Sequence, residues 1–334
     1  MHLFKLAFHS ALHVDSKGSG EPETSQEFIH SDTLSAALCL SWSHIYPEEK
    51  TEFFAAPPFT VSSAFPYVGE VLFFPCPVWR IWEDIDVNRR KEIKKVRWIS
   101  QGLFTEVLQG RRIRIEDVRI SGSLVFLPSE ENLSPSLASG HVWEMTERQR
   151  VSVDRFGIPE GGQTFFFAMQ FFAPDAGLYF LVQGSEEVVD RLTQAVHFLG
   201  DTGIGADRNS GLGHFRLIEK TQFMPPEARG AEGYYTISLY NPDRSEDLSK
   251  ITTGAAYSLL TRSGWVVNST VGRSPIRVFG EGSYMCAQPK GRVVHMLDEP
   301  TRSKFSLPIH HSAPRDFRAF ALPCHQPPYL TEGV

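Results

Sequence analysis

The chain has 334 residues, 41% hydrophobic and 22% charged, which excludes a wholly disordered protein and allows two domains of ordinary size. A net charge of −6 excludes a protein that coats nucleic acid through bulk positive charge, while leaving room for a local basic groove. The four cysteines, Cys39, Cys76, Cys286 and Cys324, show no CxxC spacing and no zinc pattern, so they read as free thiols in a reducing compartment, with no metal or cofactor expected.

In chain order, Met1–Lys5 begins a short apolar strand rather than a signal peptide, and the strand runs from His2 to Phe8. No apolar run is long enough to span a bilayer, so a soluble, cytoplasmic protein is expected, with no membrane partner. Residues 14–26 read as a polar loop. Asp32 to Tyr46 reads as a helix, with Ser31 or Asp32 as its N-cap. Phe59 to Arg80 carries X-Pro steps and reads as extended chain or a hairpin interrupted by proline. Glu83 to Arg97 is dense in charge, and 128–140 reads as a loop rich in Ser, Glu and Pro. Val142 to Asp154 reads as a strand, and the runs 164–172 and 177–182, joined by Ala-Pro-Asp-Ala, read as a hairpin. Ser185 to Leu199 has acids first and apolar residues at helical spacing, the pattern of an amphipathic helix. Strands are expected again over 214–223 and 234–240. Strand–helix–strand patterns in both halves predict an α+β fold of two ferredoxin-like (RRM-like) domains, 1–140 and 141–334, with an extended insertion or thumb around 55–100.

The run 200–215, GDTGIGADRNSGLGHF, concentrates Gly200, Gly203, Gly205, Gly211 and Gly213 around Arg208, Asn209 and Ser210. Glycines let a backbone approach a phosphate, and successive N–H groups can cradle one. A dinucleotide-binding loop needs a strand before and a helix after, whereas here the helix comes first. A Walker A loop needs Gly-Lys-Ser/Thr, which is absent. Phosphate contact and a long helix–strand turn are the two readings left.

Residues 203–215 resemble the loop G-x-G-x-x-R-x-S-G-x-G-x-F of the RAMP superfamily of CRISPR proteins. Phe28-Ile-His-Ser-Asp-Thr-Leu34 resembles the start of the first helix in one branch, the fourth subunit of the type III-A Csm interference complex. Ser62-Ser63-Ala64-Phe65-Pro66 with the run 72–77 is similar to that branch's extended segment, except for Cys76 where a basic residue is expected. Residues 150–155, RVSVDR, are similar to its R-x-x-[IV]-D-R element. The likeness covers most of residues 1–285. It implies a non-catalytic subunit that grips the 5′ handle of the crRNA. It also implies docking on the large Palm-domain subunit and a backbone RAMP subunit, near target RNA at the handle–spacer junction.

Carried onto this sequence, the resemblance and the residue types nominate an RNA-binding set: His30, Ser31, Ser62, Ser63, Phe65, Lys94, Lys95, Arg97, Arg150, Arg155, Gly203, Gly205, Arg208, Asn209, Ser210, Gly211 and Gly213. Each has a plainer role beside it. The basic run is also a solvated face, the arginines of 148–155 are also ion-pair partners, and Ser31 also caps a helix. No catalytic residue is nominated. The rival enzyme reading is a guide-processing endoribonuclease using His9, His13 or His30 in acid–base chemistry, and a third reading is a purely structural assembly subunit.

Overall fold

The computed structural model describes residues 1–15, 22–49, 56–83, 89–152, 163–266, 271–297, 303 and 312–328. Strand β1 (His2–Phe8) leads to helix α1 (Ser31–Ile45), then β2 (Thr60–Val61), β3 (Phe65–Val68) and β4 (Val71–Pro75). Next come α2 (Arg90–Ile93), β5 (Trp98–Ser100), α3 (Gln101–Leu108), β6 (Arg119–Ser121), β7 (Leu124–Phe126) and α4 (Pro135–Ser139). The long strands β8 (Trp143–Ser152) and β9 (Gln163–Phe172) precede β10 (Ala176–Gln183), α5 (Glu186–Thr202) and β11 (Phe215–Gln222). The rest is β12 (Gly233–Thr236), α6 (Leu248–Thr252), β13 (Leu259–Arg262), β14 (Ile276–Phe279), β15 (Tyr284–Met285), β16 (Gly291–His295), β17 (Pro314–Arg318) and β18 (Ala321–Cys324).

One large sheet runs β11-β1-β10-β3-β4-β5-β7-β6, with β2 also on β10. Its central strands are buried on both faces, and this explains their continuous apolar runs. Phe4, Leu6, Leu178, Phe180 and Val182 face α1 and α5, meeting Leu34, Leu38, Val189, Leu192 and Val196. Leu3, Tyr179 and Leu181 point the other way, into a core shared with Phe74, Phe104, Tyr235 and Leu322. The α+β class is as expected. The boundary at residue 140 is not respected, because β10 from the later half lies between β1 and β3 of the earlier half.

Other expectations are corrected here. Ser31 and Asp32 do not cap α1: His30 occupies the N-cap position without a side-chain cap, and the Ser31 N–H donates to Ser63 Oγ at 2.8 Å instead. Strands β9 and β10 are not a hairpin. β9 pairs along its whole length with β8, and β10 pairs with β1 and β3. The turn between them is held by Asp175, whose carboxylate accepts from the Ser134 and Ser136 hydroxyls. Those serines belong to the stretch read as a loop, which winds into a 3-10 turn over Pro128–Leu133 and into α4, capped by Ser134 with Pro135 at its first position. The segment expected to protrude, 55–100, supplies β3, β4 and β5 to the middle of the large sheet. The β8–β9 pair forms a separate two-stranded sheet. Among the described residues no helix is long and apolar enough to cross a membrane, and the four cysteines are free.

Candidate nucleic-acid interface

Helix α5 is built as its sequence predicts: Ser185 Oγ accepts from the Val188 N–H, and Glu186 and Glu187 sit in the positive first turn. The helix ends at Gly203, with φ of 79°, and the chain turns back through a short 3-10 turn, Arg208–Ser210, into β11. Gly203, Gly205, Gly211 and Gly213 all have positive φ. They do two different jobs. A Cβ at Gly213 would overlap the Ile204 carbonyl oxygen, one at Gly205 the His13 carbonyl oxygen, and one at Gly203 would lie 2.6 Å from the Leu212 oxygen. These three fold the loop onto itself and onto residues 11–13, where the Ala206 N–H donates to the His13 carbonyl and the Gly213 N–H to that of Ala11. Nothing lies within 4 Å of a Cβ added at Gly211. Asn209, Ser210 and Gly211 are the exposed edge of the loop, and Arg208 beside them has no carboxylate partner among the described residues.

The β8–β9 hairpin is seated against this loop. Phe167 and Met169 pack with Ala11 and Leu212. His13, buried, packs its ring at a tilt against Phe167 at 4.3 Å, and its Nδ1 lies 2.7 Å from the Ala168 carbonyl oxygen. Arg150 pairs with Asp207 of the loop and lies over the Phe167 ring at 4.3 Å. Arg150 therefore positions loop against hairpin, and its guanidinium is already neutralised. Arg155 lies outside the described residues. His9, just past the end of β1, and His214, just ahead of β11, place their rings 6.1 Å apart beside the same loop.

The second nominated group lies elsewhere and faces inward. Ser31, Ser62, Ser63 and Phe65 are buried, and so is His30. Ser31 Oγ accepts from the Leu239 N–H at 3.0 Å, and Ser62 Oγ from the Leu181 N–H at 2.9 Å. His30 Nδ1 lies 2.8 Å from Glu281 Oε1, which also accepts from Ser63 Oγ. Next to it, Asp32 takes Arg262 at 3.0 and 3.2 Å through two nitrogens, the paired fork geometry of a strong ion pair. Burial would raise the Asp32 carboxyl, but the Arg262 guanidinium overrides it and holds Asp32 at about 2. Burial likewise opposes ionisation of Glu281, and His30 and the Ser63 hydroxyl bring it below the usual carboxylate range. These residues lock the start of α1 to the C-terminal strands; sequence reasoning missed Arg262 and Glu281, which lie more than 200 residues away from their partners. An open groove of about 530 Å³ nevertheless runs along this joint, with Gln26, Phe28, His30, Leu260, Arg262 and Glu281 among its walls.

Lys94, Lys95 and Arg97 are exposed around the end of α2, leading into β5. Five strand steps separate β5 from β11 in the sheet order, roughly 24 Å at about 4.8 Å per step, so this patch and the glycine loop are separate surfaces. Lys95 shares its surface with Arg89, Glu92, Glu116 and Arg119, a mixed-charge setting.

The large mixed sheet carries α1 and α5 on one face, and the glycine loop joins α5 to the edge strand β11. A crystal structure of a Csm3–Csm4 subcomplex in the type III-A CRISPR-Cas interference complex contains a chain of this fold, with 16% identity, a TM-score of 0.67 and coverage of 97% of this chain and 99% of that one. A Csm1–Csm4 cassette in complex with pppApA matches at 20% identity, TM-score 0.59 and 98% of both chains. In sequence, a Csm4 protein of Mycobacterium tuberculosis (strain H37Rv) is 26% identical over 259 residues, 76% of this chain and 78% of that protein. A Csm4 protein of Thermococcus onnurineus (strain NA1) is 28% identical over 243 residues, 69% and 71%. The family model described as CRISPR Csm4 C-terminal domain matches residues 229–310. The chain is thus similar to Csm4 proteins over about three quarters of its length in sequence and over nearly all of it in fold.

Proposed function

We propose that the chain is a non-catalytic subunit of a type III-A CRISPR interference complex, holding the 5′ handle of the crRNA and joining the large Palm-domain subunit to a backbone RAMP subunit in the cytoplasm. The observation that carries the RNA reading is the division of labour in the glycine loop. Three glycines fold it, and the fourth keeps an exposed edge open beside Arg208, Asn209 and Ser210. The partner reading is supported by the related proteins, which occur with Csm3 and with Csm1 in the structures named above. We read β1, α1, β3, β10, α5 and β11 as one ferredoxin-like unit, since its strands lie in the order fourth, first, third, second, with 69–175 inserted. A second unit is assigned to the C-terminal strands. The β8–β9 hairpin is the segment we assign as the thumb near target RNA, in place of 55–100.

The test is purification of the chain with its neighbours and sequencing of the RNA that comes with it. A shared repeat-derived 5′ end is expected; RNA of random ends sinks the handle reading. Exposed His9, with half-buried His214 beside it, supplies the enzyme check. Cleavage of repeat RNA by the isolated chain, abolished by His9→Ala, contradicts the non-catalytic assignment.

A further inference from the structure

Strand β13 has one paired side and one free side. Beside its start the Gly280 N–H donates to the Ser258 carbonyl at 3.0 Å, and the register runs on through Leu259↔Phe279, Leu260↔Val278 and Thr261↔Arg277. Antiparallel pairs alternate between bonded and non-bonded, so Leu260 turns its N–H and C=O toward β14 while Leu259 and Thr261 turn theirs away. The far side of β14 follows the same alternation. The Phe279 N–H donates to the Tyr240 carbonyl at 2.8 Å, the Tyr240 N–H donates to the Phe279 carbonyl at 3.0 Å, and the Arg277 carbonyl accepts from Asn241 Nδ2 at 3.0 Å. Among the described residues, the outward N–H and C=O groups of Leu259 and Thr261 take no hydrogen bond. Natural sheets guard such an edge with a lysine, a proline or a bulge, and Leu259-Leu260-Thr261 carries none of these.

The groove of about 530 Å³ beside His30 runs along this free side, and its wall takes in every residue from Ser258 to Arg262. Successive side chains of a strand point to opposite faces, so five residues in a row line a groove through the backbone edge. Leu260 packs its side chain against the cluster of Leu239, Val278 and Phe317, and Arg262 spends its own on Asp32. The strand therefore offers the groove its backbone edge, with the side chains of exposed Leu259 and Thr261 beside it. Half-buried Phe28 adds an apolar part of the wall.

We propose that an extended segment of the large Palm-domain subunit lies in this groove and pairs with the free side of β13, adding a third strand to the β13–β14 sheet. This rests on the partner reading above and gives it a surface and a mode of contact. The spacing selects the class of occupant. Leu259 and Thr261 present their outward groups about 6.6 Å apart, two residues of strand rise, and an extended polypeptide matches that repeat while a nucleic-acid strand does not. A second copy of this chain is disfavoured, because its own β13 arrives with its own groove walls. Location decides between the two neighbouring subunits. β13 lies within 229–310, the stretch matched by the Csm4 C-terminal domain model, and outside the ferredoxin-like unit. The backbone neighbour is a RAMP subunit, akin to that unit, so the distinct C-terminal part is the one assigned to the large subunit.

The test is amide hydrogen exchange, resolved to single residues, on the full chain alone and with the large subunit, the backbone subunit or a repeat-derived 5′ oligonucleotide added separately. The Leu259 and Thr261 amides are expected to exchange fast in the chain alone and at least about tenfold more slowly with the large subunit bound. The Leu260 amide, bonded to β14 throughout, is the internal reference. Thr261→Pro removes an outward donor and spares the β14 ladder, so its melting is retained, and its capture of the large subunit is expected to weaken about tenfold. Thr261→Ala keeps the N–H and captures normally. If Thr261→Pro fails to fold, the exchange of the native chain decides alone. Unchanged exchange with the large subunit bound overturns the proposal, as does normal capture by folded Thr261→Pro. Protection already present in the chain alone means that its own residues cover the edge, and the proposal is wrong. Protection by the backbone subunit or the oligonucleotide instead of the large subunit also overturns it. Failure of the native chain to capture the large subunit at all overturns the partner reading itself.

Discussion

The glycine loop and the His30–Ser63 segment were both singled out by their residues, yet the fold treats them in opposite ways. The loop turns its polar edge, Asn209 to Gly211, outward. The His30 segment turns its hydroxyls and imidazole inward, onto Glu281, Leu239 and Leu181. Polar residue type therefore marks both surface recognition and buried joints; what separates them is whether partners exist within the chain.

The contrast within the loop gives the largest expected effect. Gly213→Val drives a side chain into the Ile204 carbonyl at a φ of 75°, and the chain is expected not to fold to a cooperative melting unit. Gly211→Val meets no atom and is charged only for its φ of 86°, about 1–2 kcal/mol, read by chemical denaturation. Equal losses at the two positions would break the division of labour proposed for the loop.

The joint comes next. Asp32→Ala strands the buried Arg262 guanidinium and is expected to cost about 3–5 kcal/mol, while a loss below about 1 kcal/mol means the pair is not the lock described. The same joint sets an acid limit. The folded-state value of Asp32, about 2, is below its unfolded value of about 4, so its contribution is complete above the unfolded value and fades as pH falls toward about 2. About 2 kcal/mol is expected to vanish over that window, at 1.36 kcal/mol per unit. In Asp32→Asn that part of the acid dependence is absent.

The smallest effect belongs to the exposed edge. Arg208→Ala is expected to weaken binding of all handle sequences alike, by a few-fold, and to reduce the slope of log affinity against log salt by about one. An unchanged slope in anisotropy titrations takes the phosphate role from Arg208. Folding stability is expected to stay within about 0.5 kcal/mol of the native chain, because half-buried Arg208 has no carboxylate partner to lose among the described residues.

Local order determined much of this protein from sequence alone. The strand His2–Phe8, the helices near 31–45 and 186–202 and the edge strand after the glycine loop were legible because periodicity, acidic first turns and glycine placement act over a few residues. The positive φ of Gly211 is visible only in the folded backbone. Tertiary structure alone decided which strands pair. Ala-Pro-Asp-Ala looked like a hairpin turn, but Asp175 found Ser134 and Ser136, and β9 found β8, across distances that no local pattern encodes. It also decided burial. His30, Ser31, Ser62 and Ser63 look like recognition residues until Glu281, Leu239 and Leu181 arrive from remote parts of the chain to take their hydrogen bonds. A polar group's exposure depends on those remote partners, and the short segment around it does not specify them.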